Sequence, residues 1–157
     1  MRITRFCFSF ITLIGVTSMA FAQSSAPSAD AHQPTPQEYA QRNEQIERAA
    51  VQIAELVDQN QTAQVWDGAS SMAKQLVSRD AFTKAIHTDR QTVGSLVTRN
   101  FTSLSFSQSD GKRIPAGLFA NVAFATRFAN EKAVVRELVS FHLDNDHVWR
   151  VSGYTLR

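Results

Sequence analysis

Leu118–Leu143, LFANVAFATRFANEKAVVRELVSFHL, is the stretch that decides the fold. Leu118, Ala120, Val122, Phe124, Thr126 and Phe128 recur at every second position, and Val135, Val139, Phe141 and Leu143 do the same after Asn130-Glu131. Period-two alternation on both sides of a turn dipeptide predicts two antiparallel strands, Leu118–Ala129 and Lys132–Leu143. A two-residue hairpin sets Ala129 opposite Lys132, and the pairing then propagates to Thr126–Val135 and Phe124–Glu137. Glu137 thereby shares the apolar face with Phe124, Val135 and Val139. A carboxylate there is costly unless it is paired or stays neutral, whereas a slip of one residue would turn it outward.

Outward from this hairpin, the Thr- and Phe-rich run Leu96–Phe106 reads as a strand. Ser107–Gly117 (SQSDGKRIPAG) reads as a loop, Asp144-Asn145-Asp146 as a turn and Val148–Leu156 as a last strand. Everything upstream has helical period. Thr35, Pro36 and Glu38 form a capping box with proline in the tolerated first turn. Ile46, Ala50, Ile53 and Val57 then make one apolar stripe, with Asn60 as its stop. Glu38–Arg42 and Glu44–Arg48 are four apart in the favoured order on the wet side. A second helix is expected over Thr62–Val77, burying Val65, Trp66, Ala69, Met72, Ala73 and Leu76. A third follows Ser78 as cap, burying Phe82, Ile86 and Val93 and ending at Gly94. The expectation is an α+β domain over 35–157, in which about three helices pack on one face of a four-stranded, curved antiparallel sheet.

The beginning of the chain has a different character. Arg2 and Arg5, the apolar run Phe6–Met19 and the small-x-small site Ala20-Phe21-Ala22 predict a signal peptide over 1–22, cleaved before Gln23. That run is too short to span a bilayer. Gln23–Pro34 is a Ser/Ala/Pro-rich tether with too few large apolar groups to order. The formal charge of +2 resides in Arg2 and Arg5, so residues 23–157 are balanced with histidine neutral, which argues against nucleic acid or an anionic membrane as general partner. The single cysteine, Cys7, falls in the signal and lacks the lipoprotein pattern before it. The exported domain therefore has neither thiol nor disulfide, and packing must hold it together.

Recognisable chemistry is sparse. Among the histidines, His32 stands alone in the tether, and His87, His142 and His147 have no ligand spacing, so no metal is expected. There is no nucleophile elbow around Ser70 or Ser71, no phosphate loop, no dinucleotide fingerprint and no cofactor signal. Asp67 beside Trp66 reads as an exposed helix residue more readily than a pocket acid. Glu137 has two readings: a buried ion pair to an arginine such as Arg99 or Arg150, or a pocket carboxylate serving as general base or ligand anchor. Arg90 and Arg99 flank Gly94 and can converge with Glu137. Such a cluster would bind an anion bidentately or lock helix to sheet, and the lock is favoured. Arg127 and Arg136 fall on the opposite strand faces, toward solvent or a partner.

Several of these residues together resemble a bacterial family: Trp66 with Ser70, Val77-Ser78 with Phe82, Arg90-x-x-x-Gly94, Arg99, Glu137 and the ending Trp149-Arg150-Val151-Ser152-Gly153-Tyr154. From about Glu47 to Arg157 the chain looks like an exported proteobacterial family named only as a domain of unknown function. It departs from that pattern at Asp144-Asn145-Asp146-His147, where an Asp-Gly turn is expected. The resemblance implies export to the periplasm and a compact domain, and brings no activity. The layout also resembles the NTF2-like or cystatin-like α+β class, an analogy of fold alone; an Asp–His pair on inward strand positions, as some NTF2-like enzymes use, is not evident. The leading expectation is a non-catalytic periplasmic module that holds a protein partner or small ligand, with Arg90, Arg99, Glu137, Arg150 and Trp66 as binding residues, and an immunity protein against a secreted toxin as its sharpest form. The alternatives are a small isomerase or dehydratase with Glu137 as base, its cavity lined by Phe124, Val139 and Phe141, and an envelope subunit that oligomerises through its sheet.

Overall fold

A computed structural model describes residues 33–157; the expected signal peptide, His32 and most of the expected tether lie outside the described residues. Helix α1, Pro36–Asp58, begins with the expected capping box: the Glu38 amide donates to Thr35 Oγ1 at 3.3 Å and the Thr35 amide to Glu38 Oε2 at 2.6 Å. It stops where Asn60 enters the left-handed region at φ 59°, a conformation asparagine tolerates. Ile46, Ala50, Ala54 and Val57 are its buried stripe. Glu44 and Arg48 pair at 2.6 Å. Arg42 instead lies against the Tyr39 and Phe106 rings.

The single second helix expected over Thr62–Val77 is two short ones, α2 (Thr62–Asp67) and α3 (Ser71–Leu76), so the helices among the described residues number four. Ser70 makes the break. It is fully buried, its Oγ caps α3 by accepting from the Ala73 amide at 3.1 Å, and its own amide donates to the Val151 carbonyl at 2.8 Å. A buried serine has better use as an N-cap than as a helix interior residue, where its hydroxyl competes with the backbone. The break also turns Leu76, expected inside, out to 65% exposure. Helix α4, Arg79–Val93, is capped by Ser78 and buries Phe82, Ile86 and Val93. Gly94 follows at φ 80°, where an added Cβ would strike the Asn130 side chain at 2.7 Å.

The strands are β1 (Leu96–Ser109), β2 (Gly117–Phe128), β3 (Val135–Leu143) and β4 (Trp149–Leu156), antiparallel in the order β1-β2-β3-β4. The expected register holds, with Phe124 opposite Glu137 and Thr126 opposite Val135, although the connection is longer than a two-residue turn because β2 ends at Phe128 and β3 starts at Val135. At the β3–β4 turn, His147 adopts φ 60°, the conformation for which glycine was expected, and its amide closes on the Asp144 carbonyl at 2.9 Å.

Ala120, Val122, Phe124, Val139, Phe141, Val151 and Tyr154 line the sheet face that packs on Ile46, Ala50, Val57, Val65, Phe82 and Ile86 of the helices. Each fully buried large apolar side chain contributes about 1.5–3 kcal/mol. The sheet curls. Phe106 on one edge strand and Trp149 on the other bring their rings to 5.8 Å, although flat edges three spacings apart would stand roughly 14 Å from one another. The other face is open. Phe119, Asn121, Ser140 and Ser152 project there, with α3 and the β1–β2 loop at its sides. No helix among the described residues is long and apolar enough to cross a membrane.

Candidate functional site

Glu137 is fully buried and wholly occupied. Arg99 Nε donates to Oε2 at 2.6 Å and Nη2 to Oε1 at 2.9 Å, the Thr126 hydroxyl to Oε2 at 2.7 Å and the Tyr154 hydroxyl to Oε1 at 2.7 Å. One carboxylate from β3 thus gathers a side chain from each of the other three strands. Arg99 reaches on to Asp58 Oδ2 at 2.9 Å, and Arg90 of α4 meets Asp58 Oδ1 at 2.9 Å with its guanidinium 4.3 Å from the Phe128 ring. Two cations and two anions balance. Burial opposes the Arg99 charge, but Glu137 and Asp58 outweigh it and hold its pKa above the ordinary value. Burial, and then the charge of Glu137, push the Tyr154 hydroxyl well above the usual tyrosine range.

The convergence of Arg90 and Arg99 with Glu137 is therefore real, and it is a lock joining helices to sheet. Glu137 has no solvent-exposed surface and both of its oxygens are bonded, an arrangement that fits the ion-pair lock better than a pocket carboxylate. Two partners escaped the sequence reading. Tyr154 was placed on the final strand without a role. Asp58 sits in the last turn of α1, where the helix dipole disfavours an acid, and that position was a readable sign that a cation waits for it.

Arg150, offered as an alternative partner of Glu137, lies elsewhere. It pairs with Asp146 through two bonds of 2.8 Å and with Asp144 at 3.2 Å. Asp144 also accepts from His142 Nδ1 at 2.8 Å and from the Ser71 amide at 3.1 Å. This Asp–His pair is not on inward strand positions, because His142 shares the open face with Phe119 and Asp144 follows the end of β3. His142 is near the end of that strand and Asp144 opens the turn that follows it. The pair is structural. Asp144 is consumed by three donors and fastens the β3–β4 turn to the start of α3, and His142 is buried edge-on against Phe119 at 5.1 Å and hard against Gly117. Trp66 is half-buried, donates to the Val77 carbonyl at 3.4 Å and carries Lys74 5.3 Å from its ring. Asp67 is exposed and forked onto Arg79 at 2.9 and 3.0 Å, which holds its carboxyl below the usual range. Arg127 and Arg136 are exposed. Among the described residues, no three His, Cys, Asp or Glu side chains group as a metal would need.

An accessible concavity lies on the open sheet face. Met72 and Leu76 of α3 form one wall and Ile114 and Pro115 of the β1–β2 loop the other, around a volume of about 280 Å³. Phe119, Asn121, Ser140 and Ser152 make its floor. Leu76 is 65% and Ile114 51% exposed. The Ser140 hydroxyl donates to Asn121 Oδ1 at 2.8 Å, which leaves the Asn121 amide hydrogens without a partner among the described residues. Apolar walls above a floor with spare donors suit a polypeptide segment that brings apolar side chains and backbone carbonyls. None of the five sequence-proposed binding residues lines this groove.

No curated protein and no solved structure matches the chain. A family model described as "Protein of unknown function (DUF4019)" matches residues 49–154, about two thirds of the chain, from the middle of α1 to the end of the core on β4. The chain belongs to that family of unknown function.

Proposed function

We propose that this member of the family is an exported, non-catalytic binding module, released into the periplasm by cleavage after Ala22, that grips a protein partner in the open-face groove. One observation carries the reading: Leu76 and Ile114, each more than half exposed, face each other across a floor holding Asn121, Ser140 and Ser152. Small domains seldom leave paired apolar walls bare around unpaired donors unless something fills them. The occupation of Glu137 supports holding over chemistry, and the charge balance of residues 23–157 supports a neutral, largely apolar partner segment. In this reading the domain is an NTF2-like or cystatin-like frame used for recognition. A secreted bacterial toxin is the sharpest form of the partner and would make the protein an immunity factor.

The experiment is capture with tagged protein from periplasmic extract and from secreted proteins of the same strain, beside the variant Leu76→Lys/Ile114→Lys. Both substitutions are at exposed positions and leave the core intact. One stoichiometric partner held by the native protein and lost by the variant is the expected result. The same partner at undiminished yield on the variant moves the site away from the groove. Failure of both pools to yield any stoichiometric partner overturns the module reading.

A further inference from the structure

On the opposite, helix-facing side of the sheet, the curl and α1 leave a second cavity of about 280 Å³, near the lower end of the roughly 300–1,000 Å³ typical of small-molecule sites. Ile46 and Ala49 of α1 form one side and Phe141 and Trp149 the other, with His147 at the turn. The lining contains one permanent charge, Arg42, and no acid.

Arg42 is held in an unusual way for an exposed helix. Its guanidinium stands 4.9 Å from the Tyr39 ring and 4.5 Å from the Phe106 ring, and Phe106 is itself edge-on to Trp149 at 5.8 Å. Stacking uses the faces of a guanidinium and spares its edge, which carries the donors. That edge is underused. Nη2 makes one bond, to Asn43 Oδ1 at 3.2 Å, Nε is buried without a partner, and Nη1 has none among the described residues. Glu38, one turn earlier, is engaged in the helix cap. A buried, unpaired charged donor is costly. A cation fixed by aromatic rings at the mouth of an apolar slot therefore has the form of a receptor for an anion with an apolar body.

We infer that this cavity binds a small organic carboxylate, its carboxylate on the free edge of Arg42 and its aromatic or branched body between Ile46 and Ala49 on one side and Phe141 and Trp149 on the other. Because the rings already hold the guanidinium, little ordering remains to be done on binding. The site is distinct from the groove and does not depend on it.

The test titrates the purified chain with 3-phenylpropanoate and with its uncharged isostere, 3-phenylpropanamide, following backbone amide shifts. Saturable shifts at Arg42, Ala49, Phe141 and Trp149 are expected, with the acid binding at least about tenfold more tightly than the amide. Arg42→Gln, on the helix surface, should bring the acid down to the level of the amide while its far-UV spectrum and melting curve show it folded. Equal affinity of acid and amide, an acid affinity unchanged in Arg42→Gln, shifts confined to Met72, Ile114 and Asn121 of the other face, or no saturable shift at millimolar concentration would each overturn the inference.

Discussion

At the scale of single residues, Glu137 matters most, and what matters is what would be left behind without it. A buried ion pair adds little over well-packed apolar residues, but removal of one partner strands the other. Glu137→Ala would leave Arg99 with Asp58 alone and would orphan the Tyr154 and Thr126 hydroxyls. The expected loss in urea unfolding is about 3–5 kcal/mol. Tyr154→Phe removes only one bond to the charged carboxylate and should cost about 1.5–3 kcal/mol. If Glu137→Ala proved the milder of the two, the centre of the lock would be misplaced. The position of Glu137 was legible because alternation in Leu118–Leu143 fixed its face and register. Its partners were only half legible. Arg99 follows from proximity along β1, but Asp58 is brought in by helix packing, which no local pattern encodes.

At the scale of elements, structure was legible wherever one local signal had no competitor. The Thr35-Pro36-Glu38 start of α1 and the Ser78–Gly94 frame of α4 are such cases. Thr62–Val77 was not legible, because helical period runs unbroken through Ser70 and the tertiary bond from the Ser70 amide to Val151 decides where the helix breaks. Pattern reports which residues are apolar; it does not report that a buried hydroxyl has found a better use. Helix α3 owes its start to two side chains, its own N-cap Ser70 through the Ala73 amide and the distant Asp144 through the Ser71 amide. It also covers the β4 edge, a device that keeps an edge strand from pairing with other chains. Ser70→Ala should therefore cost about 1 kcal/mol and speed amide hydrogen exchange within Ser71–Leu76 while leaving α4 protected. Unchanged exchange in α3 would mean that Asp144 caps it alone. The groove wall formed by Met72 and Leu76 was illegible for the same reason: as one continuous helix, Leu76 belonged inside.

At the scale of the whole molecule, ionisable groups set the pH range of the fold from both sides. On the acid side, the Arg150 fork pulls Asp146 down to about 2. Burial opposes the charge of Asp144, but His142, the Ser71 amide and Arg150 prevail and lower it too. Asp67 and Asp110 are lowered by Arg79 and Lys112 respectively. A carboxyl depressed in the folded state contributes stability that is present above its unfolded value, near 3.8, and is lost as the pH falls through the folded one. On the alkaline side, burial and the charge of Glu137 raise the Tyr154 hydroxyl above its ordinary value of 10.0. Its contribution is present below that pH and declines above it, because the unfolded chain then ionises while the folded one does not. Urea midpoints should accordingly be level through neutrality, fall as the pH drops from about 4 toward 2, and fall again above about 10. Asp146→Asn should flatten part of the acid limb and leave the alkaline limb alone, because Asp146 is exposed in the β3–β4 turn and Tyr154 lies in the core. Tyr154→Phe should do the reverse. A decline that begins at pH 6–7 would mean that neither these carboxylates nor Tyr154 sets the limits of the fold.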